Sequence, residues 1–176
     1  MADPNWVEEA LDEYEVPLVR YAVSLLGDVE TARDIVQDTF LKLCKQRPKD
    51  LQGHLAQWLF RVCRNGAVDW QRKERRMTSL STPRLSLLRD KSSGPLRNLE
   101  DKEVISGVAE LIEALPDKQR EVIRLKFQQG LSYKEISSVT GFSVSNVGFL
   151  IHTGIKTIQK KLARDKSSKR ILRRVK

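Results

Sequence analysis

Two carboxylates four residues apart, Asp34 and Asp38, come nearest in this sequence to the spacing of metal or acid–base chemistry. They lack a neighbouring His, a third carboxylate or a Gly-rich phosphate loop, so we expect no catalytic residue, no metal ligand and no cofactor. An exposed acidic patch edged by a leucine favours docking on a basic protein surface instead. The predicted docking residues are Asp34, Gln37, Asp38, Leu41 and Lys42.

A second patch combines an aromatic ring with basic side chains. On a helix predicted over 55–76, at about 100° per residue, one side carries Trp58, Arg61, Asn65, Arg72, Arg75 and Arg76. Such a face suits unpaired single-stranded DNA, because an indole stacks on a base while guanidinium groups hold phosphates. The Asn65 amide can also pair with a base edge. The alternative is a solvated charged face with Trp58 partly covered by a neighbouring loop.

Residues 131–147 predict a helix, a tight turn and a second helix. Ser132 and Glu135 have the spacing of a capping box. Gly141 suits a left-handed helix end, and Ser143 suits the N-cap of the following helix. A helix-turn-helix places its second helix in the major groove of DNA. The alternative is an ordinary helical hairpin within an all-α core.

Helical periodicity extends over most of the remaining chain, so the predicted fold class is all-α. We expect two small helical bundles joined by a flexible linker, with the helix-turn-helix in the C-terminal bundle. Pro17 is expected to begin a second helical segment, and a third helix is expected over about 29–46. The predicted division of the chain is an N-terminal domain 1–76, a linker 77–102, a C-terminal domain 103–163 and a basic tail 164–176.

Charge is segregated along the 176 residues, whose net charge is +9. Residues 1–40 carry a net charge of −8, residues 41–102 carry +9 and residues 103–176 carry +8. This distribution predicts a protein partner for the acidic head and a nucleic acid for the remainder.

Two cysteines, Cys44 and Cys63, have neither zinc-site nor disulfide-framework spacing, so both are predicted to be buried thiols in a reducing cytoplasm. No apolar run approaches the roughly 18 residues of a membrane span, and the acidic N-terminus is unlike a signal peptide. We therefore expect a soluble, cytoplasmic protein without membrane insertion.

These patterns together resemble a bacterial RNA polymerase sigma factor of the extracytoplasmic-function (ECF) type, over residues from about 9 to 163. The N-terminal motifs that carry the resemblance are Leu25–Asp28, Ala32–Phe40, Trp58–Asn65 and Asp69–Lys73. The C-terminal motifs are Leu115–Val122 and Gly130–Ile136. The resemblance implies that the docking face meets the β′ clamp helices of core RNA polymerase, and that the C-terminal bundle touches the β flap. An anti-sigma factor is a possible further partner.

The same resemblance implies two promoter-binding sites. The loop Lys49–His54 would join the aromatic and basic helix in capturing the −10 element, so Lys49, Gln52 and His54 are added to its predicted residues. The C-terminal bundle would read the −35 element with Lys134, Ser143, Ser145, Asn146, Phe149, Thr153, Lys156 and Lys160. Family members commonly place several Arg or Lys along this recognition helix, but here none precedes Lys156. Apolar contacts to thymine methyl groups are therefore expected.

Two other classes of protein compete with this interpretation. A stand-alone helix-turn-helix regulator would need an effector or receiver domain, which the acidic head does not resemble. A nucleic-acid enzyme is disfavoured by the missing catalytic constellation.

Overall fold

A computed structural model describes residues 4–80 and 107–164, and these residues form an all-α fold. The described residues divide into two compact units, one formed by residues 4–80 and the other by most of residues 107–164. Most of the predicted linker, and the tail beyond residue 164, lie outside the described residues.

The N-terminal unit consists of α1 (Pro4–Leu26), α2 (Val29–Leu43), the short α3 (Pro48–Leu51) and α4 (Leu55–Leu80). The α1, α2 and α4 helices all pack on one another. Helix α4 extends four residues beyond the predicted 76, so the first residues assigned to the linker are helical. Helix α2 ends at Leu43, three residues before the predicted end.

Pro17 does not begin a new segment, because it lies inside the continuous α1. A proline in a helix interior loses one hydrogen bond and costs roughly 3 kcal/mol. The apolar stripe of α1 nevertheless continues on both sides of it, with Ala10, Leu18 and Ala22 all buried. Burial of this stripe against α2 and α4 outweighs the local preference, as packing often does for helices.

Helix α2 begins at a side-chain cap, in which the Thr31 N–H donates to Asp28 Oδ2 at 2.8 Å. Hydrogen bonding from the Thr31 side chain, together with this backbone bond, holds the pKa of Asp28 below its ordinary value. The core face of α2 is the predicted one: Ala32, Ile35, Val36, Phe40 and Leu43 are buried.

The 3.6-residue period predicts a core face on α4 made of Leu55, Leu59, Val62, Cys63, Gly66 and Trp70. The observed core face is different. Leu59, Phe60, Cys63 and Ala67 are fully buried, whereas Leu55, Val62, Gly66 and Trp70 are half-buried. Phe60 packs edge-to-face on Tyr21, with ring centroids 5.3 Å apart. Burial raises the pKa of the Cys63 thiol to about 12. Cys44 was predicted to be buried, but it is exposed just after the last turn of α2.

The C-terminal unit contains α5 (107–113), α6 (Asp117–Phe127), α7 (Tyr133–Thr140) and α8 (Val144–Arg164). Helices α6 and α8 form its main packing contact. Its core includes Leu115, Val122, Leu125, Ile136, Val147 and Ile151.

An ion-pair cluster ties α5 to α6. The Glu113 carboxylate pairs with Arg124 and lies 3.9 Å from Arg120, whose guanidinium also pairs with Asp117. The Arg120 guanidinium further donates to the Glu113 carbonyl at 2.7 Å. The two arginine side chains are only 17% and 13% exposed. Burial lowers the pKa of Arg124, so Glu113 supplies the charge that this half-buried cation needs.

Candidate protein and nucleic-acid interfaces

The predicted docking face lies on the outer side of α2. Its five residues, Asp34, Gln37, Asp38, Leu41 and Lys42, are all exposed, while the residues between them fill the core. Leu41 is 55% exposed, which is unusual for a leucine bordered by two carboxylates. The face therefore offers negative charge and one apolar contact, the combination that suits a basic protein surface with an apolar ridge.

The outer side of α4 carries the predicted basic stripe. Arg61, Asn65, Arg72, Arg75 and Arg76 are exposed. Arg72 makes only a long ion pair to Asp69, at 3.7 Å, and both side chains remain largely solvated. Such an exposed pair is weak, so phosphate can compete for the guanidinium. Trp58 is half-buried at the start of this stripe, which leaves part of its ring accessible to solvent.

The segment predicted as a loop, Lys49–His54, begins within α3 and ends in the turn before α4, and it carries the other three residues predicted to bind the −10 element. Lys49, Gln52 and His54 are exposed, and His54 Nδ1 lies 3.1 Å from the Gln52 carbonyl. Gly53 has φ of +79°, a left-handed conformation that this turn requires and that glycine adopts without strain. This turn thus leads directly into α4, whose first turn contains Trp58.

A groove of about 240 Å³ separates α2 from α4 within the N-terminal unit. It is lined by Asp38 and Lys42 from the docking face and by Asp69, Trp70 and Lys73 from α4. Its floor is the tight crossing at Gly66, where an added Cβ would lie 3.1 Å from Ile35 Cγ2. Sequence reasoning missed Asp69, Trp70 and Lys73 as neighbours of the docking face, because the 3.6-residue period gives a face on each helix but not which faces meet.

The helix-turn-helix has the predicted local geometry. The Ser132 N–H donates to Glu135 Oε2 at 2.7 Å, and the Glu135 N–H donates to Ser132 Oγ at 3.3 Å, which completes the capping box. Hydrogen bonds to the Glu135 carboxylate from the Ser132 side chain and from the Ser132 backbone N–H hold the pKa of Glu135 below its ordinary value. Gly141 directly follows α7 and begins the turn, with φ of +78°. The Asn146 N–H donates to Ser143 Oγ at 3.2 Å, so Ser143 caps α8 as predicted.

The outer face of α8 is centred on Ser145, Phe149, His152 and Lys156, all exposed and on the side opposite the buried Val147 and Ile151. Asn146 is exposed on the flank of this face, as is Lys160 further along. The Thr153 hydroxyl is turned back to the helix, with its oxygen 2.8 Å from the Phe149 carbonyl.

Lys134 is exposed on α7. His152, which was not among the predicted residues, also lies on the outer face of α8, as helical spacing from Phe149 could have shown.

Residues 4–80 and 107–164 contain neither a cluster of metal-binding side chains nor a membrane-spanning helix. No group of three or more His, Cys, Asp or Glu side chains is placed to hold a metal ion. No helix in this part of the chain is long and apolar enough to cross a membrane.

Two family models match separate parts of the chain. The model described as Sigma-70 region 2 matches residues 11–77, which include the α2 and α4 surfaces. The model described as Sigma-70, region 4 matches residues 107–158, which include the helix-turn-helix.

Relatives match along most of the chain. The ECF RNA polymerase sigma factor SigM of Bacillus subtilis (strain 168) is 29% identical over 141 residues, which cover 80% of this chain and 85% of SigM. The RNA polymerase sigma factor SigZ of the same organism is 29% identical over 149 residues, covering 84% of this chain and 82% of SigZ.

Solved structures share the fold. The sigma factor RpoE of Bartonella quintana, in complex with the anti-sigma factor NepR, has a TM-score of 0.71 at 23% identity, over 90% of this chain and 98% of that chain. CnrH, solved with the cytosolic domain of CnrY, has a TM-score of 0.60 at 23% identity, over 93% of this chain and 92% of that one.

Proposed function

This chain belongs to the sigma-70 family of RNA polymerase sigma factors, of the extracytoplasmic-function (ECF) type, and on that premise we propose how its surfaces divide the work of promoter-specific initiation. As a sigma factor, it binds core RNA polymerase and directs initiation at promoters. We assign residues 1–76 to the region 2 domain, 77–102 to a linker and 103–163 to the region 4 domain, with a basic tail at 164–176. The protein acts in the cytoplasm beside the polymerase, which supplies the chemistry of transcription.

The observation that carries the proposal is the separation of charge within the N-terminal unit. Acidic side chains and the exposed Leu41 occupy the outer side of α2, whereas arginines occupy the outer side of α4. DNA phosphates repel the first surface and attract the second. We therefore assign the α2 face to the β′ clamp helices of core polymerase and the α4 face to the −10 element.

On α4, the accessible part of Trp58 and the Asn65 amide would engage unpaired bases, while Arg61, Arg72 and Arg76 hold the backbone. The exposed Lys49, Gln52 and His54 would extend this surface toward the flipped bases. Trp58 supports the assignment best, because it is an aromatic ring at the edge of a basic stripe and part of it is accessible to solvent.

In the C-terminal unit, the outer face of α8 would enter the major groove of the −35 element. The β flap of polymerase would contact another part of the same unit. An anti-sigma factor is a further proposed partner of this chain, since RpoE and CnrH were each solved with a bound partner.

Reconstitution tests the function itself. The purified chain with core polymerase is expected to start transcription at a promoter that core alone ignores. A stand-alone helix-turn-helix regulator would bind the promoter without conferring initiation on core, and that result would contradict the proposal.

The docking assignment is tested by reversing both α2 carboxylates, Asp34→Lys with Asp38→Lys, and measuring affinity for core polymerase. Exposed substitutions change stability little, so helicity should be retained while affinity falls. The control is the double reversal Glu8→Lys with Asp12→Lys on α1, which changes net charge equally. Equal affinities of the two double variants for core would refute a docking site on α2.

The melting assignment is tested with Trp58→Ala and Asn65→Ala. Trp58→Ala should reduce open-complex formation about tenfold, because base stacking is worth roughly 1–3 kcal/mol. Asn65→Ala removes the amide proposed to pair with a base edge and should also reduce it, and a premelted template should rescue part of either defect. Trp70→Ala removes an equally half-buried indole that faces the α2–α4 groove instead. Open-complex formation that falls equally in Trp58→Ala and Trp70→Ala would show loss of folding rather than loss of stacking.

A further inference from the structure

Phe149 is the most conspicuous side chain on the outer face of α8. It is 63% exposed, and it lies one turn after Ser145 and just before His152 on the same face. From Val144 to Ile155 the helix has no Lys or Arg. A recognition helix with an uncovered aromatic ring at its centre and no guanidinium beside it cannot read guanine by the usual bidentate Arg contact.

The major groove displays one apolar group, the C5-methyl of thymine. We propose that Phe149 is a specificity-determining residue that selects thymine at the −35 element by packing its ring against this methyl group. The inference rests on the proposed placement of α8 in the groove. To that placement it adds the base that the site recognises, which is thymine.

Neighbouring contacts hold α8 in the shape that such packing needs. The Ser143 cap fixes the first turn through the Asn146 N–H, and the Ser137 hydroxyl holds the preceding turn by donating to the Phe142 carbonyl at 2.6 Å. The Phe149 ring itself has only two side-chain torsions, so ordering it on a methyl group costs little entropy.

The polar residues around Phe149 leave the central contact to the ring. The Thr153 hydroxyl is already committed to backbone carbonyls, and Lys156 lies two turns further along the helix, within reach of a phosphate rather than of the same base. Phosphate contacts of this kind carry no sequence information. Ser145, Asn146 and His152 stay exposed on or beside this face and can hydrogen-bond to polar base edges, so the apolar contact at its centre falls to the ring.

The test removes the methyl group and nothing else. Holoenzyme assembled from the full chain and core polymerase is first used to select bound promoters from a library randomised at the −35 element. Each selected thymine is then replaced by deoxyuridine, which lacks the C5-methyl. At the contacted thymine, wild-type affinity should fall roughly fourfold, the equilibrium equivalent of one buried methyl group.

Phe149→Ala should bind the thymine and deoxyuridine promoters equally, whereas Phe149→Leu should keep part of the discrimination. Phe127→Ala is the matched control, because Phe127 is 62% exposed but lies on α6, and this variant should retain the full fourfold difference. Selection that returns no −35 preference would refute the placement of α8 in the groove. A clear preference with wild-type affinity unchanged by deoxyuridine at every position would refute the role of Phe149 alone.

Discussion

The crossing of α6 and α8 leaves no room for a side chain at Gly154. A Cβ built there would lie 2.5 Å from Ile123 Cδ1 and 3.5 Å from Gln119 Cβ. Ile123 is only 3% exposed, so its terminal methyl has no open space to move into. Gly154→Ala must therefore push the two helices apart or force Ile123 out of its rotamer.

The expected size of the effect follows from two opposing quantities. Overpacking of a close-packed core costs about 1–3 kcal/mol, and alanine recovers about 1 kcal/mol over glycine in a helix interior. We expect Gly154→Ala to lower the free energy of unfolding by about 1 kcal/mol. On the same helix, the added Cβ of Gly148→Ala would meet only the Tyr133 ring, whose Cε2 lies at an ordinary 3.6 Å. Gly148→Ala should therefore raise the free energy of unfolding by about 1 kcal/mol.

Urea unfolding of the full chain measures both variants. The three tryptophans, at positions 6, 58 and 70, all belong to the N-terminal unit, so fluorescence reports that unit and far-UV circular dichroism reports both. The shift in urea midpoint should appear only in the circular dichroism signal. Ile123→Val deletes the crowding methyl and normally costs about 0.5–1.5 kcal/mol, but it should cost less in the Gly154→Ala background. Equal effects of the two glycine substitutions, or additive effects with Ile123→Val, would refute the tight crossing.

Three further outcomes are expected. Folding lowers the pKa of the Glu135 carboxyl. The stability that Glu135 contributes is therefore present above its ordinary pKa of about 4.3 and is lost as the pH falls through its pKa in the folded state. Glu135→Gln should flatten this acid dependence of stability in a circular dichroism titration. Iodoacetamide should quickly add one adduct, at Cys44, while the buried Cys63 reacts only on unfolding; mass spectrometry showing two rapid adducts would contradict the packing of α4. Glu113→Ala should destabilise the C-terminal unit by about 1–2 kcal/mol, since it removes the carboxylate paired with the half-buried Arg124, while Arg120 keeps Asp117; an unchanged urea midpoint would show that this cluster contributes nothing.

Local signals in the sequence predicted the helix-turn-helix closely. The capping box at Ser132, the left-handed Gly141 and the cap at Ser143 all form as their spacing indicates. Each depends on residues within three or four positions of one another, so the chemistry of a short segment determines it. The all-α class follows in the same way, because 3.6-residue periodicity is a property of each helix alone.

Features set by packing between helices could not be predicted in this way. Pro17 remains helical because α1 buries apolar residues on both sides of it, and the core face of α4 is rotated toward Phe60 and Ala67. Periodicity allowed several neighbouring orientations of α4. Contact with Tyr21 and the close approach of Gly66 to Ile35 select one of them. Exposure of Cys44 has the same origin, since α2 ends one residue before it.

The same distinction applies to the proposed sites. Residue types along a single helix were enough to predict the acidic face of α2 and the basic stripe of α4, but not the groove in which Asp38 and Lys42 meet Asp69 and Lys73. Predicting that groove requires knowing that α2 and α4 cross at Gly66, which no local pattern reveals.

Charge placement within the N-terminal unit also constrains how its two proposed partners can bind together. Polymerase and promoter must approach one small helical unit without competing for the same surface. An α2 face with two carboxylates raises the energy of any pose in which DNA lies there, while the α4 arginines attract phosphate. Oppositely charged surfaces thus orient the encounter before short-range contacts form, since electrostatic complementarity governs orientation more than affinity. Under the proposed assignment, base stacking on Trp58 is needed only after this orientation has been reached.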